Sequence, residues 1–469
     1  MKLKKLTALL IIVSMTVLTI LPGCGKKNSG DNEFHKAEEE HYIDMETLKN
    51  RELTNEAQIL IEDLLRLANS QNTYGYPLDE SFYLWFYVRY GEDILKKLES
   101  KLKVGGDESC YYELTGSTLH VLWVYYCADK GIHPDYLKNV YVKNVDAKTD
   151  IIIDFAGDIN FDDSWGNMEI MLSLQNEPEH CFSKALLEEM HNADIFMINN
   201  ECTYTEVGEP LEGKAYTFKA KPEYAASLRT LGVDIVSLAN NHVYDYGEEG
   251  LISTLETLED IDMPYVGAGR NLEQASEIVY FIVNGRKIAF TSATQVERSY
   301  NFTREATATT PGVLKTLNPD KYLEVIKEAR AKADYVIAYV HWGTEDTDEM
   351  GADQRMLGMK YIEKGADVVV GGHTHCLQGF EYFMGAPILY SLGNFWFDWT
   401  TAISRHTMLF QIVIHEDNKV DYRVIPCEYE NGLTYKIENK EELDNALGYI
   451  RSLSDGVTID NDGYVREAQ

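Results

Sequence analysis

The sequence predicts an α/β protein, a layered sheet domain with a helical segment in front of it. Three observations predict this. From about Asp150 onward, short apolar runs alternate with stretches of helical periodicity, starting with Ile151-Ile152-Ile153-Asp154-Phe155-Ala156. Such alternation marks strands layered with helices. Later strand candidates follow one another without helices between them, which indicates a mixed sheet or a two-sheet sandwich. Before Asn144 the pattern is helical: Leu60, Ile61, Leu64, Leu65 and Leu67 share one face, and similar patterns recur over 80–100 and 117–130.

Composition bounds the reading. A chain of 469 residues has room for two or three domains, and 45% hydrophobic and 11% aromatic content supplies real cores. The net charge of −33 excludes a basic nucleic-acid face and electrostatic adhesion to anionic lipid.

Taken in order, residues 1–24 read as an export leader: Lys2, Lys4 and Lys5, then an apolar stretch from Leu6 to Leu21. Leu21-Pro22-Gly23-Cys24 resembles a bacterial lipobox, in which Cys24 would carry lipid and hold the protein on the outer face of the cytoplasmic membrane. A plain signal peptide or a short membrane anchor is the alternative. Residues 25–41 are polar and charged, a tether. Residues 42–148 form the helical segment, where Trp85 and Trp123 either pack helices or line a groove. Residues 149–430 form the sheet domain. Its strands are expected at 194–199, 233–238, 278–283, 286–292, 334–340, 366–371, 387–391 and 406–415. Its helices are expected at 181–191, 222–231, 247–260, 319–332 and 351–365. Residues 431–469 hold a terminal helix at 437–453 and a polar, loose end. Cys110, Cys127, Cys181, Cys202, Cys376 and Cys427 are irregularly spaced, and nothing in the sequence pairs them.

The chemistry sits at strand ends. Val368-Val369-Val370 runs into Gly371-Gly372-His373-Thr374-His375, so two histidines stand just past a buried strand. That is the usual place for ligands in an open α/β sheet, and imidazole is the commonest metal-binding side chain. Four other apolar runs also end in polar groups suited to metals or protons. They are Gly157-Asp158-Ile159-Asn160, Asn199-Asn200-Glu201, Asn240-Asn241-His242 followed by Asp245, and His341-Trp342-Gly343-Thr344-Glu345. Each alone is an ordinary turn, cap or core histidine. Together they supply carboxylates, amide oxygens and imidazoles. That mixture suits Zn, Mn or Fe better than Mg or Ca. Two such ions sharing a carboxylate can activate a water and clamp an oxyanion.

The order of these motifs, closed by Tyr390-Ser391-Leu392-Gly393-Asn394-Phe395, resembles the CapA/PgsA poly-γ-glutamate capsule proteins of the calcineurin-like metallophosphoesterase superfamily. The likeness runs from about Asp150 to about Ile414 and leaves out the helical segment. It implies a four-layer α/β/β/α metallophosphoesterase-like sandwich with one or two divalent ions. Asp158 and His375 would hold one ion, with Asn160 in the place where the wider superfamily has a histidine. Asn241, His341 and His373 would hold the other, and Glu201 would bridge. His242 would be the general acid, with Asp245 orienting its ring. The Tyr390–Phe395 stretch either closes the sheet or touches substrate.

The resemblance implies a surface-anchored, metal-dependent hydrolase of capsule synthesis or export, acting on an anionic polymer or a phosphoester. Two other readings stay open. One is a non-catalytic lipoprotein that positions polymer or a capsule synthase complex. The other is a general extracellular phosphodiesterase.

Overall fold

Strand Ile151–Ile159 is the spine of one of two large sheets. The computed structural model describes residues 53–68, 76–132, 137–143, 150–297, 302–398 and 403–468. The expected leader, Cys24 and the tether lie outside the described residues. Among the described residues no helix is long and apolar enough to cross a membrane.

In the ten-stranded sheet, Ile151–Ile159 pairs in parallel with Ile195–Asn200, which is followed by Ile235–Ser237 and Tyr265–Val266. On its other side His406–Ile414 and then Val420–Glu430 run antiparallel. The seven-stranded sheet has Arg286–Thr294, Tyr335–His341, Val368–Gly372 and Ala386–Leu392 in parallel. Val279–Val283 and Leu377–Phe383 flank these strands antiparallel. Val140–Val142 adds a parallel edge strand beside Val279–Val283.

Alternation along these strands sends side chains to opposite faces, and both faces are covered. Ile153, Phe155, Met197, Ile337, Val370 and Phe410 fill the space between the sheets. On the far face of the ten-stranded sheet, Phe196 and Val236 pack against Leu186, Leu228 and Leu255. Helix Gly247–Asp260 can do this because Leu251, Leu255 and Leu258 recur at helical spacing and are all buried. On the far face of the other sheet, Val336 and Val369 meet Tyr322, Ile326, Leu357 and Tyr361 from helices Asp320–Lys332 and Ala352–Lys364. The architecture is therefore a four-layer α/β/β/α sandwich.

Ahead of it, helices Asn55–Ala68, Glu80–Tyr90, Glu92–Lys103, Ser109–Thr115 and Leu119–Asp129 share a core of their own, including Phe82, Trp85, Leu98 and Leu122. Trp85 and Trp123 are 0% and 4% exposed, so both pack helices rather than line an open groove. Each large buried side chain there contributes roughly 1.5–3 kcal/mol.

Several elements differ from expectation. The end of the chain is ordered as a hairpin of Val457–Ile459 and Tyr464–Glu467 that extends the Val420–Glu430 edge. Asp460 closes its turn by accepting from the amides of Asp462 and Tyr464 at 3.0 and 2.9 Å, and Ile459 and Val465 enter the inter-sheet core. Two apolar side chains suffice to anchor a segment that reads as polar. Strands Val420–Glu430 and Leu377–Phe383 were not expected, because Asp421, Arg423 and Glu381 interrupt their apolar pattern. The span expected as a helix at 222–231 is a 3-10 turn, Pro222–Ala225, running into the short helix Ala226–Thr230.

Candidate metal centre

The parallel strands of both sheets present their carboxyl ends at one rim. Asp158 stands near the end of Ile151–Ile159, Glu201 just past Ile195–Asn200, and Asn241 and His242 in the turn after Ile235–Ser237. His341 ends Tyr335–His341, and His373 and His375 follow Val368–Gly372. The glycine pair is needed there. A Cβ on Gly371 would lie 2.1 Å from the Tyr390 carbonyl oxygen, and one on Gly372 would lie 2.4 Å from the Tyr339 hydroxyl. Both histidines then take left-handed backbone, φ 99° at His373 and 55° at His375. Such conformations cost about 1–3 kcal/mol each and persist where the surroundings enforce them.

The side chains converge. Glu201, His341 and His373 each offer a ligand atom within 4.8 Å of the others, and so do Asp158, Glu201 and His375. Glu201 belongs to both groups. His341 Nε2 lies 2.7 Å from Asn241 Oδ1 and 3.5 Å from Glu201 Oε1, while His375 Nδ1 lies 3.6 Å from Asp158 Oδ2. None of these ligand candidates is more than 3% exposed.

Beside them His242 Nδ1 and Asp245 Oδ2 are 2.7 Å apart. Asp245 also accepts from the Phe218 amide at 2.7 Å and pairs with Lys214 Nζ at 2.5 Å. The Phe218 ring stacks on the His242 imidazole with centroids 4.0 Å apart.

Burial sets the electrostatics. It holds Glu201 well above the usual carboxylate range, helped by the charge of Asp158, and raises Asp158 despite His375 beside it. Burial likewise pushes His341, His373 and His242 well below the ordinary histidine value, with neighbouring histidines adding to the effect and Lys214 acting on His242. Asp245 is pushed up to about 7, again by burial, although Lys214 pulls the other way. Neutral imidazoles present lone pairs, which is the form that binds metal. Asp158 Oδ2, Glu201 Oε1 and His373 Nδ1 are sealed from solvent and have no hydrogen-bond partner. Two carboxylate oxygens and an imidazole nitrogen left without hydrogen-bond partners among these two buried donor groups fit divalent cations, which would supply the missing contacts.

The structure brings Asp158, Glu201, Asn241, His341, His373 and His375 together, with His242 and Asp245 adjacent. Asn160 Oδ1 accepts from the Asp162 amide at 2.9 Å in an Asx turn at the strand end, which occupies one of the two lone pairs of that oxygen, and its buried Nδ2 has no hydrogen-bond partner.

Several residues outside the expected set hold the site in place. Asn199 Nδ2 donates to Asp158 Oδ1 at 2.7 Å and reaches Glu201 Oε2 and His341 Nδ1 at 3.3 Å. Asn394 Oδ1 lies 2.8 Å from His375 Nδ1, and the Gly393 carbonyl accepts from the Asp158 amide at 3.0 Å. The Tyr390–Phe395 stretch thus both closes the sheet and supports a candidate ligand. Asn199 and Asn394 lie within motifs visible in the sequence. Lys214 and Phe218 lie in a loop with no periodicity, and no signal pointed to them.

A profile of the family described as bacterial capsule synthesis protein PGA_cap matches residues 152–399. The capsule biosynthesis protein CapA of Bacillus anthracis is 34% identical over 219 residues, 45% of this chain and 52% of that protein. The PGA biosynthesis protein CapA of Bacillus subtilis (strain 168) is 34% identical over 216 residues, 46% and 56% of the two chains. A probable polyglutamine synthesis accessory protein of Mycobacterium tuberculosis is 28% identical over 209 residues, 43% and 55%. The chain spans about half the length of the curated relatives it matches. Among solved structures, a 5'-nucleotidase from Candida albicans SC5314 superposes with a TM-score of 0.35 at 12% identity, covering 69% of this chain and 57% of that one. The matched span exceeds half of the 469 residues and contains every candidate ligand, so the chain belongs to the bacterial capsule synthesis protein PGA_cap family, that of the CapA-like poly-γ-glutamate capsule proteins.

Proposed function

We propose that this protein is a metal-dependent hydrolase of poly-γ-glutamate capsule synthesis or export, anchored to the outer face of the cytoplasmic membrane through lipid on Cys24. One observation carries the hydrolase reading. Two donor groups share Glu201, hold three buried atoms with no partner, and lie next to a histidine fixed by a carboxylate. Asp158 and His375 would hold one ion and Asn241, His341 and His373 the other, with Glu201 between them. Divalent ions such as Mn, Zn or Fe would there polarise a water and the phosphoryl or carbonyl oxygen under attack.

The chain's own residues do the rest. Asp245 accepts from His242 Nδ1 and so leaves Nε2 as the atom that serves the leaving group: bare in the resting neutral ring, it gives a proton only after taking one up. Phe218 and Phe397, 1% and 0% exposed, pack against His242 and His375 and keep bulk water from that side. The capsule assignment rests on the relatives, and fold does not choose a substrate.

A second reading is a non-catalytic accessory that positions polymer or a capsule synthase complex. Its synthase-complex form is favoured by charge: Lys214, buried beside the centre, is neutralised by Asp245, and the chain as a whole carries −33, which disfavours drawing a polyanion into the centre.

Metal analysis of the full chain and of His373→Ala, with turnover of bis-p-nitrophenyl phosphate and of γ-glutamyl polymer, separates the readings. The hydrolase reading expects bound metal that falls in His373→Ala, and turnover lost in His242→Ala. Bound metal with neither substrate turned over would replace it with the accessory reading. Turnover of the phosphodiester alone would point to a general phosphodiesterase.

A further inference from the structure

The loop between strands Thr203–Tyr204 and Lys219–Ala220 has no regular structure along residues 205–218 and exposes Val207 and Tyr216. Its inward side is different. Lys214 Nζ, its side chain 4% exposed, pairs with Asp245 Oδ1 at 2.5 Å and donates to the Asn241 carbonyl oxygen. The Phe218 amide donates to the other oxygen, Asp245 Oδ2, at 2.7 Å, and the Phe218 ring lies flat on the His242 imidazole. The Leu211 amide donates to the Asp245 carbonyl at 2.9 Å. At the loop's base Thr203 Oγ1 donates to the His242 carbonyl at 2.8 Å. One segment therefore touches the backbone of Asn241, the ring and backbone of His242, and both carboxylate oxygens of Asp245.

We propose that Lys214 is a positioning residue, which fixes Asp245 so that His242 is held as the tautomer with its proton on Nδ1 and Nε2 bare toward the centre. This rests on the hydrolase reading for its purpose, but not for its test. A carboxylate free to rotate would offer either oxygen to His242 and leave the ring orientation loose. With Oδ1 held by an ammonium and Oδ2 by the Phe218 amide, the carboxyl plane is set and Oδ2 can accept only along the direction of Nδ1. The ring above is set by Phe218. The partner of the imidazole nitrogen determines which nitrogen keeps the proton, and here that partner is itself held by the loop. A lysine suits the place because its four-carbon stem reaches from the exposed loop into the buried pair. Sealing such a charge is tolerable because it is paired and hydrogen-bonded.

The test compares full-length wild type with Lys214→Met and Lys214→Arg, each labelled with ¹⁵N-histidine, the His242 resonances being assigned by their loss in His242→Gln. Wild type should show a protonated Nδ1 and a bare Nε2. Lys214→Met should shift both nitrogens toward the averaged values of a mixed tautomer, and Lys214→Arg, which keeps the charge, should restore most of the wild-type pattern. Metal content should match wild type in both. Turnover of an aryl phosphodiester with a poor leaving group should fall at least tenfold more in Lys214→Met than that of bis-p-nitrophenyl phosphate. Unchanged His242 nitrogens in Lys214→Met would overturn the proposal. So would altered nitrogens with metal lost from both variants, which would make Lys214 a support for the centre instead. The tautomer is read whether or not the protein turns over substrate, so failure of the hydrolase reading leaves this result standing.

Discussion

Asp154 offers a quantitative test of how the central strand is held. It lies four residues before Asp158 on Ile151–Ile159, is 0% exposed, and neither carboxylate oxygen has a well-formed hydrogen bond. Gln411, opposite it in register, offsets only part of the penalty. Burial pushes the acid from 3.8 up to about 8. Between those values the folded chain carries a proton that the unfolded chain has lost. Stability from this group is therefore complete below the unfolded value and declines as pH rises toward the folded one, at ~1.4 kcal/mol per pH unit. From about pH 5 to about pH 8 the decline sums to roughly 4 kcal/mol. Asp154→Asn keeps the shape and does not titrate, and every other group titrates alike in both proteins. In urea unfolding, the stability of Asp154→Asn relative to wild type should rise by about that amount over the interval. Two stability curves that stay parallel across the interval would show that the carboxyl is ionised in the fold, and the reasoning from its burial would be wrong.

Two further outcomes follow from the supports of the centre. Asn394→Ala leaves His375 Nδ1 without its 2.8 Å partner and should weaken divalent-metal binding by about 10–100-fold. Competition against a chelating dye reads this, and an unchanged affinity would remove His375 from the ligand set. Gly157→Ala should destabilise by ~1–3 kcal/mol and lower metal affinity together, because its Cβ would fall 1.9 Å from the Gly393 carbonyl that fixes the Asp158 amide. Thermal unfolding with and without added Zn would show both effects, and a variant matching wild type in each would contradict the close approach.

Sequence and structure agree where side chains repeat with a period and part where contacts are made across the chain. Helix Gly247–Asp260 and strand His406–Ile414 are legible because every second or every third to fourth residue is apolar. Val420–Glu430 is not, since its first residues are only partly buried and carry Asp421 and Arg423. Its strand state comes from pairing with His406–Ile414. The terminal hairpin is stabilised in the same way, through an edge already formed. At the site, the strand ends could be read because apolar runs stop at polar, chemically distinctive residues. At Asn160 the sequence gives the residue type, and the structure adds that its oxygen also accepts from the Asp162 amide.

The sequence by itself determined the alternation of strands and helices, the separate helical segment, and the residue types offered at five strand ends. Local periodicity and local chemistry carry that information. Tertiary structure decided which strands share a sheet and that two sheets bring their carboxyl ends to one rim. It also decided that Asn199, Asn394, Lys214 and Phe218 hold the candidate ligands and the His242–Asp245 pair. Those contacts join residues such as Lys214 and Asp245, or Asn394 and His375, through space. No spacing along the chain encodes a distance that exists only after the sheets have packed.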